Sequence, residues 1–262
     1  MKSLFRKPLI GVDKRLLVKD AAKLMPELSR RRFLSGGASL GALTLLTGCE
    51  VSDSVSAENL LTQMSKFNDA VQAKLFNPNA LAPTYPESRI TRPFPFNAYY
   101  TLDDAPEIEA KDWELEVAGL VQNQKAWKLE ELYALPQETQ ITRHICVEGW
   151  SAVGSWTGAR LSEFLKRVGA DTRAKYVWFR CAEGYTTSID MQTALHPQTQ
   201  MTFGFDGKVL PKAYGHPMKV RIPTRLGFKN PKYVVSLEVT NDYKGGYWEN
   251  QGYNDYLSLI HI

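Results

Sequence analysis

Apolar and polar residues alternate along this chain in runs too short for anything but small strands. Trp113 to Val121 (WELEVAGLV), Lys175 to Cys181 (KYVWFRC), His216 to Pro223 (HPMKVRIP) and Lys232 to Thr240 (KYVVSLEVT) each keep a period of two. That period turns one face of each run toward a core. The helical pieces are equally brief: WKLEELYAL over 127–135, and GARLSEFLKRVG over 158–169, which stops at Gly169. Asp206-Gly207 within FDGKVLP predicts a tight turn between two β segments. Strands and helices without regular βαβ spacing, and without an internal repeat, predict an α+β fold of short mixed strands and helices. That domain is placed at 94–256. Ahead of it, 50–93 reads as a helix over 57–76, with Leu60, Leu61, Met64, Phe67, Val71 and Leu75 at helical spacing, followed by a Pro-rich extended stretch. The simplest role for that apolar stripe is packing.

Charge is unevenly spread over the 262 residues. Residues 1–49 hold ten Lys/Arg and three acids, and the rest of the chain holds 22 and 25, so the overall +4 belongs to the leader. A nucleic-acid partner is therefore not expected. The leader reads SRRRFLSGGASLGALTLLTGC from Ser29 to Cys49. Ser-Arg-Arg-x-Phe-Leu before a weakly apolar Gly/Ala-rich stretch is the twin-arginine export pattern, which predicts a periplasmic protein exported folded. Folding before export suits a protein that receives a cofactor in the cytoplasm. Leu46-Thr47-Gly48-Cys49 fits a lipobox with Cys49 as a lipid anchor, and Val55-Ser56-Ala57 fits ordinary cleavage; the two compete. The last six residues, LSLIHI at 257–262, read like a translated sequencing adapter and are treated as a non-native tail.

Beyond the leader only Cys146 and Cys181 remain. In an exported protein they could form one disulfide, or either could be a buried, inert thiol. A third role exists for a lone Cys. A metal held by protein alone needs three or four ligands, and the four His residues, 144, 196, 216 and 261, lie at no ligand spacing. A metal whose other ligands come from an organic cofactor needs a single thiolate.

Arg143-x-x-Cys146-Val-Glu-Gly-Trp-Ser151, followed by Trp156-Thr-Gly158, resembles the sulfite oxidase superfamily of molybdopterin enzymes, and within it the periplasmic catalytic subunits that reduce methionine sulfoxide in proteins. The resemblance covers about Phe94 to Asp242 and implies a sulfite-oxidase-type molybdopterin-binding fold. It also implies a molybdenum–molybdopterin cofactor and Cys146 as the thiolate on the metal and the centre of catalysis. Coordination would keep that thiol deprotonated. A second stretch, YGHPMKVRIPTRLGFKNPK from Tyr214 to Lys232, matches the family where it holds the pterin and its phosphate. Its chemistry agrees independently: Lys219, Arg221, Arg225, Lys229 and Lys232 are five cations among Gly and Pro, suited to an anion near the backbone. Composition alone would equally describe a solvated basic face. From the resemblance, Asn97 and Tyr100 in PFNAYYTLDDAP, together with Tyr214, Lys219 and Lys232, are expected cofactor contacts. Cys181 falls where the sulfoxide reductases carry Thr and is expected to line the same site. The family usually has Arg at the Lys219 position, and Lys makes a point contact instead of a bidentate one.

Three functions follow. The first is reduction of S-oxides or N-oxides, with electrons from a membrane haem-containing subunit. The second is sulfite oxidation, for which relatives carry Arg directly before the loop Asn, where this chain has Phe96, and an added C-terminal domain, for which this chain has no room. The third is a non-enzymatic exported binding protein with a Cys146–Cys181 disulfide. The chain carries no CxxCH haem motif and no flavin fingerprint that would name the electron donor.

Overall fold

A computed structural model describes residues 79–98 and 100–253, with isolated positions at 63, 64, 67, 71 and 77. The basic leader, Cys49 and the 257–262 tail lie outside the described residues. So does most of the 57–76 helix, although Gln63, Met64, Phe67 and Val71 are helical. Met64, Phe67 and Val71 are exposed, where the sequence pattern predicts packing.

Ten short strands make two five-stranded sheets among the described residues. The first runs β2 (Ala126–Lys128), β1 (Glu114–Gly119), β10 (Val234–Thr240), β5 (Tyr176–Cys181), β6 (Thr186–Asp190). The β1–β10 pair is parallel and the others are antiparallel. The second runs β3 (Gln137–Ile145), β4 (Ser151–Arg160), β7 (Gln200–Phe205), β8 (Lys208–Val209), with β9 (Lys219–Arg221) on β7. Three short helices fill the gaps: α1 (Leu129–Tyr133), α2 (Leu161–Arg167) and α3 (Met191–Leu195). The expected α+β class is what these elements build.

The four alternating runs all hold strands, and Asp206 and Gly207 take positive φ in the β7–β8 turn, as their sequence predicts. One reading changes. The helix expected over 158–169 begins at Leu161, because Gly158 to Arg160 finish β4. The stretch after Cys146, rich in Gly and Trp, is mostly β4, paired with β3 from Gln137↔Ala159 to Ile145↔Ser151. Its glycines serve close approach. A Cβ on Gly158 would lie 1.9 Å from Met201 O, and one on Gly154 would lie 2.8 Å from Trp156 Nε1.

Leu115, Val177, Phe179 and Leu237 of the first sheet share one core with Met201 and Val220 of the second and with α2. Leu161, Phe164 and Leu165 of α2 are fully buried, which is worth about 1.5–3 kcal/mol each in transfer free energy. A smaller cluster, Phe94, Ala152, Trp156, Phe205 and Leu210, sits beside β4. The Pro-rich segment is tied down along the second sheet: Tyr85 N donates to Ile141 O at 2.9 Å and Thr91 N to Val153 O at 2.9 Å. That places the Phe94–Tyr100 loop over the end of β3.

Candidate functional site

Cys146 is the first residue past β3. Its N–H donates to Trp150 O at 2.9 Å and its carbonyl accepts from Gly149 N at 3.2 Å, so a tight turn holds the thiol at the strand end. Cys146 lines a cavity of about 170 Å³. Asn97 and Tyr100 form one wall; Gly227, Phe228, Asn230 and Lys232, from the segment between β9 and β10, form another. Glu183 and Tyr185 of the β5–β6 turn and Trp248 close the remainder. Burial pushes the Cys146 thiol above its ordinary value, opposed by a hydrogen bond from the Glu148 backbone. Without a metal beside it this sulfur stays a thiol.

Behind the cavity lies a group of buried cations. Lys219 is 2% exposed and Arg221 is 1% exposed. Lys219 Nζ lies 5.2 Å from the centre of the Trp156 ring and the Arg221 guanidinium 5.4 Å from it. Arg221 donates to neutral oxygens only, Asn230 Oδ1 at 2.6 Å and Arg143 O at 2.7 Å. Lys232 Nζ donates to the Asn97 carbonyl at 2.9 Å and lies 4.6 Å above the Phe96 ring. No carboxylate pairs with any of the three among the described residues. Their acidities record that. Burial, then Lys232 and Arg221, push Lys219 well below its ordinary value. Burial pushes Arg221 down to about 9. Burial also pushes Lys232 down to about 8, with Glu183 and Cys181 pulling the other way.

His144, one residue before the end of β3, belongs to the same group. It is buried, and burial followed by Arg221, Lys219 and Lys232 holds it neutral. Asn97 Nδ2 lies 3.2 Å from its Nε2. With Nε2 accepting from that amide, Nδ1 carries the proton, and Nδ1 has no acceptor among the described residues. Arg221 Nε and Trp156 Nε1 are likewise buried without a partner. Uncompensated cations and orphaned donors in one place are costly in an isolated protein. They fit a large anionic group with several acceptor oxygens.

The residues expected from the sequence divide in two. Cys146, Asn97, Tyr100 and Lys232 meet on one cavity. Lys219 lies behind it in the cation group. Tyr214 does not line the cavity: its hydroxyl donates to Phe94 O at 2.7 Å and its ring packs against Phe94 and Phe205. Cys181 is buried at the end of β5 in the main core, near enough to Lys232 to feel its charge but not on the lining. Both cysteines are free, so the disulfide considered for a binding protein is not formed. Sequence reasoning missed three contributors. His144 was set aside for lack of metal-ligand spacing, yet it stands among the cations. Glu183 in Ala-Glu-Gly-Tyr carries no signal beyond that of a turn. Trp248 is distant in sequence from every motif.

Among known proteins, the family model for the oxidoreductase molybdopterin binding domain matches residues 103–248. A putative protein-methionine-sulfoxide reductase subunit YedZ1 of Azospira oryzae is 58% identical over 251 residues, 95% of this chain and 96% of that protein. The protein-methionine-sulfoxide reductase catalytic subunit MsrP of Ralstonia nicotianae is 33% identical over 168 residues, 58% of this chain; the chain spans about half that relative's length, 51%. Among solved structures, the sulfane dehydrogenase SoxCD of Paracoccus pantotrophus aligns with a TM-score of 0.50 at 21% identity, over 53% of this chain and 40% of that one, a likeness of fold.

Proposed function

We infer the reaction from a fixed premise: this chain belongs to the oxidoreductase molybdopterin binding domain family and is a molybdenum-dependent oxidoreductase with a molybdenum–molybdopterin cofactor. The residues present fit that group. Cys146 would be the protein's one thiolate on the metal. Lys219, Arg221, Lys232 and the His144 Nδ1–H would face the anionic part, with Asn97 and Tyr100 against the pterin. When bound, the cofactor supplies two-electron oxygen-atom transfer; the protein supplies position, charge and exclusion of water.

The reading best supported is reduction of an S-oxide or N-oxide of methionine-sulfoxide type. The charge of the cavity lining carries it. Lys232 is the single cation among the described lining residues and already holds the Asn97 carbonyl, while two carboxyl groups, Glu148 and Glu183, share the wall with Tyr185, Phe228 and Trp248. A doubly charged anion such as sulfite would meet carboxyl groups and aromatic rings there, with Lys232 alone among the described lining residues to offset its desolvation. A neutral sulfoxide on an apolar stem meets the same wall at little desolvation cost. The names of the relatives, which specify protein-methionine-sulfoxide reductases, support this reading, and the word subunit in them supports a partner. For this chain that partner is proposed to be a membrane haem-containing electron-transfer subunit. The twin-arginine leader supports a periplasmic location, which cell fractionation tests.

Assays of the molybdenum-loaded enzyme with reduced dye, against sulfoxides, N-oxides and sulfite, test the direction. Sulfoxide reduction is expected, and turnover of sulfite alone would reverse the assignment. Cys146→Ser is expected to give a folded protein with little or no turnover, because serine oxygen is a harder ligand than a thiolate. Near-normal activity in that variant would remove Cys146 from the metal.

A further inference from the structure

We propose that Glu183 delivers a proton to the oxygen atom leaving the substrate. The inference rests on the reductive reading above. Breaking the sulfur–oxygen bond of an S-oxide consumes two electrons and two protons and yields the thioether and one water. The electrons come from an external reductant, a reduced dye in the assay or the haem partner in the cell, by way of the cofactor. The protons must reach the oxygen from solvent, and apolar lining side chains such as Phe228 and Val147 do not carry them.

Glu183 is placed for that task. It occupies the β5–β6 turn, between Ala182 and Gly184, which are both exposed, while its own side chain lines the cavity with Cys146. The turn is fixed by Cys181 N donating to Tyr185 O at 2.9 Å and Gly184 N to Cys181 O at 3.1 Å. One side of this short turn is thus in water and the other faces the reaction space. The Glu183 Oε2 is buried and has no hydrogen-bond partner among the described residues, so the oxygen is free to hold and pass a proton. The groups around it favour the protonated acid near neutral pH. Burial raises Glu183 to about 7, and the one neighbouring cation that opposes the rise is Lys232. The other titratable groups nearby are Cys181 and Tyr233, both raised in part by the Glu183 charge, and Glu148, Tyr100 and Tyr185 on the cavity wall. None of these supplies a second cation to stabilise the carboxylate. An acid poised near the working pH is what proton donation needs.

Glu148 is a second carboxyl on the same wall, but it is committed: its Oε2 accepts from Trp150 Nε1 at 2.8 Å. Glu148 is also exposed, whereas Glu183 is the one of the two with a buried carboxyl oxygen that has no partner among the described residues.

The test compares Glu183→Gln and Glu183→Asp with wild type as molybdenum-loaded enzymes of equal metal content. In wild type, sulfoxide turnover under saturating reductant should fall as pH rises through the titration of Glu183. Glu183→Gln should lower kcat by about 10²-fold, the usual scale for losing a general acid, and flatten that alkaline limb with KM little changed. Glu183→Asp should restore part of the rate together with the limb. Infrared titration of the loaded enzyme gives a readout independent of turnover: a protonated-carboxyl band that disappears near neutral pH in wild type and is missing in Glu183→Gln. An unchanged pH profile and kcat in Glu183→Gln, or a carboxyl band titrating in the ordinary acidic range, would overturn the relay and leave the reductive reading standing. Wild type that reduces no sulfoxide would overturn both.

Discussion

The basic segment from Lys219 to Lys232 contains two kinds of cation, and they differ in one respect. Arg225 and Lys229 are buried against carboxylates. Arg225 donates to Asp190 Oδ2 at 2.9 Å and Thr193 Oγ1 at 2.7 Å, and Lys229 donates to Ser188 O at 2.9 Å and pairs with Glu249. Lys219, Arg221 and Lys232 are buried too, but with neutral oxygens, aromatic faces and one another. The first pair joins the segment to β6, α3 and the 245–253 stretch, so its charge is used up inside the fold. The second group holds charge in excess of anything the described protein supplies. Charge alone does not mark a binding site; the missing partner does.

The same substitution at one position of each kind separates the two roles. Lys229→Met keeps the apolar stem and leaves the Glu249 carboxylate buried without its cation, both side chains being 2% exposed. Breaking a buried pair from one side typically costs about 3–5 kcal/mol. We expect a lower unfolding temperature in every form of the protein, with or without cofactor, read by calorimetry. Lys219→Met should do the reverse in the cofactor-free protein. It removes a charge opposed by burial and by two neighbouring cations, so the melting temperature should hold or rise. Its cost should appear only in cofactor retention, about 2–5 kcal/mol weaker, read as molybdenum and pterin content per chain. Full loading in Lys219→Met, or destabilisation equal to that of Lys229→Met, would erase the distinction between the two groups.

The sequence announces these regions unequally. Strand runs such as KYVWFRC and KYVVSLEVT are legible because burial on one face imposes a period of two. The β3–β4 hairpin is less so, since Gly154 and Gly158 look like loop residues until Trp156 and Met201 are seen to press on them. Cys146 stands out because a lone thiol needs an explanation, and the basic segment stands out by density. Which of its five cations lack partners could not be read, because Asp190 and Glu249 lie far from Arg225 and Lys229 in sequence, and nothing local pairs them. Tyr214 shows the opposite error: it sits in the right motif, but its hydroxyl is spent on Phe94. Glu183 was invisible for the same physical reason, since its significance comes from facing Lys232 and the cavity and not from its neighbours along the chain.

The smallest effect is expected at Lys232, and pH should expose it. Burial lowers its folded-state value to about 8, against roughly 10.4 in an unfolded chain. Between those two values the unfolded chain holds a proton that the folded one has released, so stability rises with pH across that window. Below about 8 both states are protonated and the full penalty of the buried charge is present; above roughly 10.4 both are neutral and it is gone. Lys232→Met removes the group. In the cofactor-free protein the variant should therefore be more stable than wild type by on the order of 1–3 kcal/mol below about pH 8, with the difference closing by about pH 10.4. Taking the difference between the two proteins cancels the titration of Arg221, which burial alone shifts, whereas Lys219 and His144, which the Lys232 charge pushes down, recover part of that shift in the variant. When the cofactor is loaded, the anion gives Lys232 the partner it lacks, and the sign should invert: wild type becomes the more stable of the two at neutral pH. Chemical denaturation at a series of pH values, with and without cofactor, measures both curves. A difference that is flat with pH would show that the Asn97 carbonyl and the Phe96 ring satisfy the lysine on their own, and would move it from the unpaired group to the structural one.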